Sequence, residues 1–120
     1  MPAGEAFTSR QQDDIRRMIG LAEKQSDLNY SVYVGRLEGD TRLAASKLHA
    51  ALAAPDDSVL IAVDPGQRRL EIVTGEKAKL RIDDRGCALA AVSMTSTFNA
   101  GDLAGGIVKG LQSLSEHILR

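Results

Sequence analysis

The first apolar positions of the chain recur with the spacing of an amphipathic helix. They fall on one face, and charged residues occupy the other. Thr8 or Ser9 precedes this pattern, with glutamine three residues later, which is typical of a capping box. We therefore expect a frayed start over residues 1–8 and then a helix that packs one stripe inward. The stripe consists of Ile15, Met18, Ile19 and Ala22.

The period then changes twice. Leu28–Gly35 alternates between apolar and polar residues, which predicts a strand with one buried face. Asp40 precedes a second helical pattern, which Pro55 brings to an end. Val59–Val63 is an uninterrupted apolar run, so we expect a central strand that is buried on both faces. A strand, a helix and a strand in this order predict a parallel βαβ unit.

A turn sequence follows the central strand. In Asp64-Pro65-Gly66-Gln67, the proline favours a fixed φ and the glycine a positive φ, so the chain is predicted to reverse there. Arg68–Thr74 would then lie antiparallel beside the central strand, with Leu70 and Ile72 facing inward. Lys79–Ile82 alternates again and is interpreted as a fourth strand, at the edge of the sheet.

Two further helices are predicted in the last third. Asp83 or Asp84 caps the first, Ser93–Gly101 is interpreted as an irregular connection anchored by Phe98, and Asp102 caps the second. Glycines in the second helix indicate that another element approaches it closely. The glycines are Gly105, Gly106 and Gly110, and the predicted buried residues are Cys87, Ala90, Ala91 and Met94, then Leu103, Ile107, Leu111, Leu114 and Ile118.

These elements predict one domain over residues 1–120. Its class is α/β, with an α+β-like character: a central mixed sheet of three to four strands, containing a βαβ unit and a hairpin, flanked by about four helices.

Amino-acid composition limits which partners and which cellular compartment are expected. The chain has 15 basic and 16 acidic residues, a net charge of −1, no Trp and only two Tyr and two Phe. Neither nucleic acid nor an anionic membrane surface is favoured as a partner. The longest apolar run is far shorter than the roughly 20 residues of a membrane-spanning helix, so direct membrane insertion is not expected. A lone Cys87 and the lack of a signal-like start favour a cytoplasmic protein.

An ordered set of short sequences resembles the TPM domain family, most closely its small actinobacterial relatives of unknown function. The resemblance spans roughly residues 13–119 and implies a mixed sheet flanked by helices. Some members of that family bind calcium, and a few are proposed to be weak acid phosphatases. The chain departs from the family pattern after Gly75, where lysines stand in place of a glycine and a glutamate. The matching pieces are Tyr33-Val34-Gly35, Val59–Asp64, Arg68–Ile72, Thr74-Gly75, Asp84, Phe98–Asp102, Gly106-Ile107 and Gly110-Leu111.

Four aspartates at the ends of predicted elements are the candidate metal ligands. Asp64, Asp83, Asp84 and Asp102 would supply the oxygen atoms that calcium or another divalent cation requires, if the fold gathers them at one edge of the sheet. The alternative is that each is a turn or helix-cap residue, because aspartate is favoured at such positions.

Other chemistry has weaker support. Phosphoryl transfer needs cationic or metal clamps, and the basic residues after the turn are also explained as a solvated strand face. His49 and His117 are isolated in the sequence, so a zinc site or a catalytic triad is not predicted and structural roles are favoured. Cys87 lies in an apolar stripe and is interpreted as a buried thiol. The basic residues are Arg68, Arg69, Lys77, Lys79 and Arg81.

The function predicted from sequence is a small non-enzymatic binding module for an unidentified protein partner, which it contacts through an exposed sheet edge or helix face. A weak divalent-cation site, with calcium as the candidate ion, accompanies this prediction. The alternative is a metal-dependent, acid-phosphatase-like hydrolase of phosphate esters, with Asp64, Asp84 and Asp102 as ligands.

Overall fold

The computed structural model of the chain describes residues 7–119. Two short 3₁₀ helices, Pro55–Asp57 and Ala78–Leu80, lie in the connections that flank the second and third strands. The main elements, in chain order, are α1 (Ser9–Ser26), β1 (Asn29–Val34), α2 (Thr41–Ala50), β2 (Ser58–Asp64), β3 (Arg69–Thr74), α3 (Asp84–Asn99) and α4 (Leu103–Glu116).

The sheet of the described chain has three strands in the order β1-β2-β3. β1 runs parallel to β2 across the α2 crossover, and β2 runs antiparallel to β3 across a hairpin. In the middle of the sheet, Val32 is aligned with Ile61, and Ile61 with Ile72. The mixed sheet, the βαβ unit and the hairpin are therefore confirmed, as is the α/β, α+β-like class with four flanking helices.

Helices cover both faces of the sheet. Val59, Ile61 and Val63 belong to the larger core cluster, which they share with residues of α1, α3 and α4. Leu60 and Ala62 face the other way and belong to a smaller cluster with residues of α2. Every residue of β2 is buried. The alternation explains why this strand has no polar face: each side chain meets a helix, whichever way it points.

Side-chain caps fix where the four helices begin. Thr8 accepts the Gln11 N–H and the Gln11 side chain accepts the Thr8 N–H, which is the predicted capping box. Asp40, Asp83 and Asp102 cap α2, α3 and α4. The predicted frayed start lies mostly outside the described residues. Within them, Phe7 is buried in the core and Thr8 is the cap.

Two glycines allow α3 and α4 to pack closely, as predicted. A β-carbon at Gly106 would collide with the Phe98 ring, and one at Gly110 would collide with the thioether of Met94. Both opposing residues lie on α3, so the helices approach to a distance that no larger residue permits. The predicted apolar stripe of α4 is buried at its centre, at Ile107, Leu111 and Leu114.

The predicted fourth strand, Lys79–Ile82, is wrong. The chain forms a 3₁₀ helix at Ala78–Leu80 instead, and the N–H groups of Arg81 and Ile82 both bond to the Ala78 carbonyl. Ala78 and Ile82 are buried, whereas Leu80 is 72% exposed. This spacing of four residues suits a tight helical turn, and a short stretch of alternating residues cannot distinguish it from a strand.

The predicted irregular connection at Ser93–Gly101 is also wrong, because α3 continues to Asn99. Met94 is buried and Phe98 packs on the same core, so the inward face of the helix persists. Serine and threonine on the outer face conceal this pattern in the sequence. The Thr97 hydroxyl bonds to the Ser93 carbonyl at 3.2 Å, which occupies a side chain that otherwise competes with the helix backbone.

The hairpin turn differs from its prediction in one detail. Residues 65–68 connect β2 to β3, but the positive φ occurs at Arg68 (54°) and not at Gly66. The loop therefore has two more residues than a two-residue turn at Pro-Gly, and its left-handed position is the last one.

Charged side chains occupy the outer edges of the sheet. Glu23 of α1 accepts the Tyr30 N–H of β1 at 3.1 Å. Arg42 of α2 donates to the Ile72 carbonyl of β3 at 2.8 Å and pairs with the Glu71 carboxylate at 3.1 Å. Each edge strand is thus tied to a neighbouring helix by a hydrogen bond from a charged group.

Within residues 7–119, no helix combines the length and the apolar character that crossing a bilayer requires.

Candidate functional site

A cavity of about 380 Å³ lies between the hairpin after β2 and the corner that joins α3 to α4. The hairpin supplies a wall of mixed chemistry, and the helical corner supplies apolar, hydroxyl and amide groups. The position is typical of ligand sites in α/β proteins, because it is at the carboxyl end of the central parallel strand. The lining residues are Val63, Asp64, Pro65, Arg68, Arg69, Leu70, Thr95, Phe98, Asn99, Gly101 and Leu103.

Asp64 organises the hairpin side of the cavity. One carboxylate oxygen accepts the Leu37 N–H at 2.9 Å and the Gln67 side-chain amide at 2.7 Å, and the other accepts the Gln67 N–H at 3.2 Å. The residue is only 4% exposed. The Leu37 hydrogen bond lowers the pKa of Asp64 below its ordinary value, against the opposing effect of burial. The buried carboxylate is therefore charged at neutral pH and satisfied by fixed donors.

Arg69 has a similar structural task. Its Nη1 donates to the Gly39 carbonyl at 2.8 Å and to the Leu37 carbonyl at 3.3 Å. Together with the bonds of Asp64, these contacts fasten the segment after β1 to the hairpin. Its guanidinium adds positive charge to the cavity wall, and its Nη1 already has two carbonyl partners.

Arg68 differs from Arg69 in its exposure, its backbone conformation and its lack of side-chain partners within the described residues. It is exposed, its backbone is in the left-handed region, and its side chain has no hydrogen-bond or ion-pair partner among residues 7–119. A non-glycine residue in this region costs roughly 1–2 kcal/mol. The cavity therefore has one guanidinium that is not used by the fold.

The opposite wall comes from α3 and the corner after it. Phe98 is partly buried against the main core and lines the cavity with its ring. Thr95 and Asn99 are exposed on the same side of α3 and have no side-chain hydrogen bond within the described part of the chain. Gly101, with φ of 89°, turns the chain into α4. Sequence reasoning missed this wall because it assigned these residues to an irregular connection.

The four aspartates predicted as metal ligands have separate tasks. Asp83 accepts the Gly86 N–H at 2.9 Å, and Asp102 accepts the Gly105 N–H at 2.8 Å, so both are helix caps. Asp84 is exposed in the first turn of α3. Within residues 7–119, no group of three or more His, Cys, Asp or Glu side chains is placed to hold a metal ion. Of the four, only Asp64 lines the cavity.

The remaining titratable candidates have structural surroundings. His49 is buried, and its Nε2 lies 3.0 Å from the Ser58 carbonyl oxygen. Because a carbonyl only accepts, this nitrogen carries the proton and fastens α2 to β2. His117 Nδ1 makes the same kind of bond to the Ser113 carbonyl at 2.7 Å. Burial raises the pKa of Cys87, so its thiol is protonated at neutral pH and is not an activated nucleophile.

The family model of the domain of unknown function named DUF5130 matches residues 2–115, which is nearly the whole chain. The chain belongs to this family. Two relatives from Mycobacterium tuberculosis, the uncharacterized proteins Rv2468c and MT2543, are each 28% identical over 97 residues. The match covers 81% of this chain but 58% of each relative, so the chain spans less than two thirds of their length.

Solved structures share the fold of this DUF5130 domain. The NMR structure of the BA42 protein from Bizionia argentinensis superposes with a TM-score of 0.83 at 19% identity, covering 92% of this chain and 80% of that one. The N-terminal domain of cg2496 from Corynebacterium glutamicum gives 0.80 at 16% identity, covering 94% and 74%. At these identities the likeness shows the fold alone. Neither the matching family nor these relatives carry the TPM name, so that wider resemblance stays a prediction.

Proposed function

We propose that this DUF5130 domain is a non-enzymatic binding module, and that the cavity between the hairpin and the α3–α4 corner holds a group presented by a protein partner. The observation that carries the proposal is the cavity itself. It is concave and largely apolar, and three of its exposed polar side chains have no partner within the described residues: Arg68, Thr95 and Asn99. Sites of this composition are typical of ligand binding.

The surface beside the cavity supports a partner larger than a small molecule. Val92 is 70% exposed and lies one turn before Thr95 on the same side of α3, and Leu89 is 44% exposed one turn earlier. Single exposed apolar residues need no explanation, but these two extend the rim of the cavity along the helix. A partner that contacts this strip can insert one side chain into the cavity.

A fragment screen tests the proposal. Small aromatic and aliphatic compounds are added to ¹⁵N-labelled protein, and amide chemical shifts are followed. We expect shifts clustered at residues 64–70 and 95–103, because both walls contact the ligand. Thr95→Trp fills the cavity and should abolish them. Ser96→Trp is the matched control, since Ser96 is an exposed neighbour that does not line the cavity. Shifts that scatter over the surface, or that persist in Thr95→Trp, would refute the proposal.

Calcium binding by Asp64, Asp83, Asp84 and Asp102 stays a prediction, and so does the phosphatase built on such a site. The fold uses three of these carboxylates as hydrogen-bond acceptors, so a cation must compete with existing donors. Titration with calcium, magnesium and manganese, followed by amide shifts, tests the prediction. A response at Asp64 would support a cation at the cavity. No response at millimolar ion would remove the metal site and the phosphatase together.

A further inference from the structure

The charges around the cavity indicate which class of ligand it can hold. Asp64 and Arg69 oppose each other in sign: both Asp64 oxygens accept hydrogen bonds, and the Arg69 Nη1 donates to two carbonyls of the fold. Their charges therefore offset one another, and these hydrogen-bonding atoms already have partners. Arg68 supplies an additional positive charge with no partner among residues 7–119. The charged residues that line the cavity therefore sum to one net positive charge.

The neutral polar groups have complementary chemistry. The Thr95 hydroxyl and the Asn99 amide each can donate a hydrogen bond, and both line the wall opposite the hairpin. An oxyanion between the two walls would accept from these donors and from the planar guanidinium of Arg68. Arginine suits this task because its fork of N–H groups matches carboxylate and phosphate oxygens.

The rest of the lining is apolar and selects what carries the charge. The apolar part of the lining comes from Val63, Pro65, Leu70, Phe98 and Leu103. A bare inorganic anion would leave this surface without contacts. A ligand with an apolar body and an oxyanion head would bury the body against these side chains while its head stays at Arg68.

We propose that the cavity binds an organic oxyanion, a carboxylate or phosphate group on an apolar stem, with the Arg68 guanidinium as its anchor and Thr95 and Asn99 as additional donors. This inference rests on the proposed binding function and specifies its ligand. In a protein partner, the group is an acidic or phosphorylated side chain, or a terminal carboxylate, next to an apolar residue.

Three probes of similar shape test the charge requirement. Benzoate and phenyl phosphate carry the two candidate heads, and benzamide is a neutral analogue of benzoate. Dissociation constants are measured from amide shifts at residues 64–70 and 95–103. We expect at least one anion to bind about threefold to tenfold more tightly than benzamide, as a charge-assisted hydrogen bond at a partly exposed site would give. The anion with the lower dissociation constant identifies the head group.

Variants of Arg68 test the anchor. Arg68→Gln should remove the preference for the anion over benzamide, and Arg68→Lys should keep part of it. Arg85→Gln is the matched control, because Arg85 is an exposed arginine of α3 that does not line the cavity. It should leave all three constants unchanged. The preference for the anion should also weaken as sodium chloride is raised, since screening acts on exposed charges.

The outcomes separate the two proposals. Equal affinity for benzoate, phenyl phosphate and benzamide, or unchanged anion affinity in Arg68→Gln, would overturn the oxyanion site and leave the cavity as a binding site. If no probe, charged or neutral, shifts the amide resonances of the cavity residues at millimolar concentration, the binding function is overturned as well.

Discussion

At the scale of single residues, Arg68 combines a strained backbone with an unused charge. Its φ of 54° is in a region where glycine has no steric cost and other residues do. The hairpin would be more stable with glycine at this position, so the arginine is not explained by the fold. Backbone strain that the fold does not need is a reason to examine the residue for function.

Arg68→Gly should raise the free energy of unfolding by about 0.5–1 kcal/mol, because it relieves a left-handed β-carbon while adding some chain entropy to the unfolded state. Urea denaturation followed by circular dichroism measures the change. Arg68→Ala is the control: it removes the same charge but keeps the β-carbon, so it should give no such gain. Equal stabilisation by both variants would assign the effect to charge.

Gly75 is restricted by space instead of backbone conformation. A β-carbon there would collide with the Pro55 carbonyl oxygen and would lie 2.7 Å from the Asp56 carbonyl carbon. Both are backbone atoms and cannot move aside without shifting the segment before β2. Gly75→Ala should therefore lower the free energy of unfolding by at least about 2–3 kcal/mol, measured by thermal or urea denaturation. A loss below 1 kcal/mol would contradict this packing.

Asp64 should make the free energy of unfolding depend on pH in the acid range. Its pKa in the folded state is lowered from 3.8, mainly by the Leu37 hydrogen bond, so its stabilising effect is present above that value. As pH falls below 3.8 through the folded-state pKa, the unfolded chain binds the proton more readily and stability is lost. Urea denaturation from about pH 6 down to about pH 2 should show this loss.

Asp64→Asn is the matched variant for that measurement. It should lower stability at neutral pH by about 1–3 kcal/mol, because one donor of the Leu37 and Gln67 set loses its acceptor. It should also flatten the dependence on acid in the same range. An identical acid profile in both proteins would show that Asp64 is not the group responsible.

At the scale of elements, the contact between α3 and α4 connects packing with the cavity. Phe98 touches Gly106 of α4 and also lines the cavity, so a change at the helix contact reaches the candidate site. Gly106→Ala should lower the free energy of unfolding by about 1–3 kcal/mol, since the Phe98 ring must move. It should also shift the amide resonances of residues 95–101.

Gly20→Ala is the matched substitution, and it should change the free energy of unfolding in the direction opposite to Gly106→Ala. Gly20 lies within α1, and a β-carbon there meets no atom within 4 Å. Helix propensity alone then applies, so stability should rise by up to about 1 kcal/mol. Destabilisation at both glycines, measured by the same urea denaturation, would mean that packing at Gly106 is not the cause.

The elements that sequence could predict are those whose pattern has one explanation. Val59–Val63 is long, apolar and bounded by turn residues, so its position in the sheet was determined from sequence. Ala78–Ile82 and the second half of α3 were not, because buried residues at short spacing fit a turn and a strand equally, and outer-face serines and threonines resemble a loop. Because the second half of α3 was not predicted as a helix, the cavity wall that it forms was not predicted either.

The candidate site shows a similar division. Asp64, Asp83 and Asp102 were recognised as residues at element ends, where the structure places them. Sequence could not tell which of them share a surface, since that depends on how the α3–α4 corner packs beside the hairpin. It also could not show which guanidinium has partners: Arg68 and Arg69 are adjacent, and only the fold brings the Leu37 and Gly39 carbonyls to Arg69.

At the scale of the whole molecule, the described sheet has one interior strand and two edge strands, and β1 is one of the two edge strands. The N–H of Gly35 bonds to Val63, so alternate residues of β1 face β2 and the others face outward. Native-state hydrogen exchange should therefore alternate along β1, with Ser31 and Tyr33 protected and Val32 exchanging faster. Uniform protection of β1 would show that another group covers its edge.

A three-stranded sheet with open sides is a template on which a second chain can add its own strand. Here a strand added beside β1 meets the Glu23 carboxylate at Tyr30, and a strand added beside β3 meets the Arg42 guanidinium at Ile72. To pair with the edge strand, the added strand must first displace the charged side chain that already bonds to the edge backbone group. We therefore expect these two side chains to oppose strand addition between copies of the protein, and we expect neutralising both to favour polymerisation at high concentration.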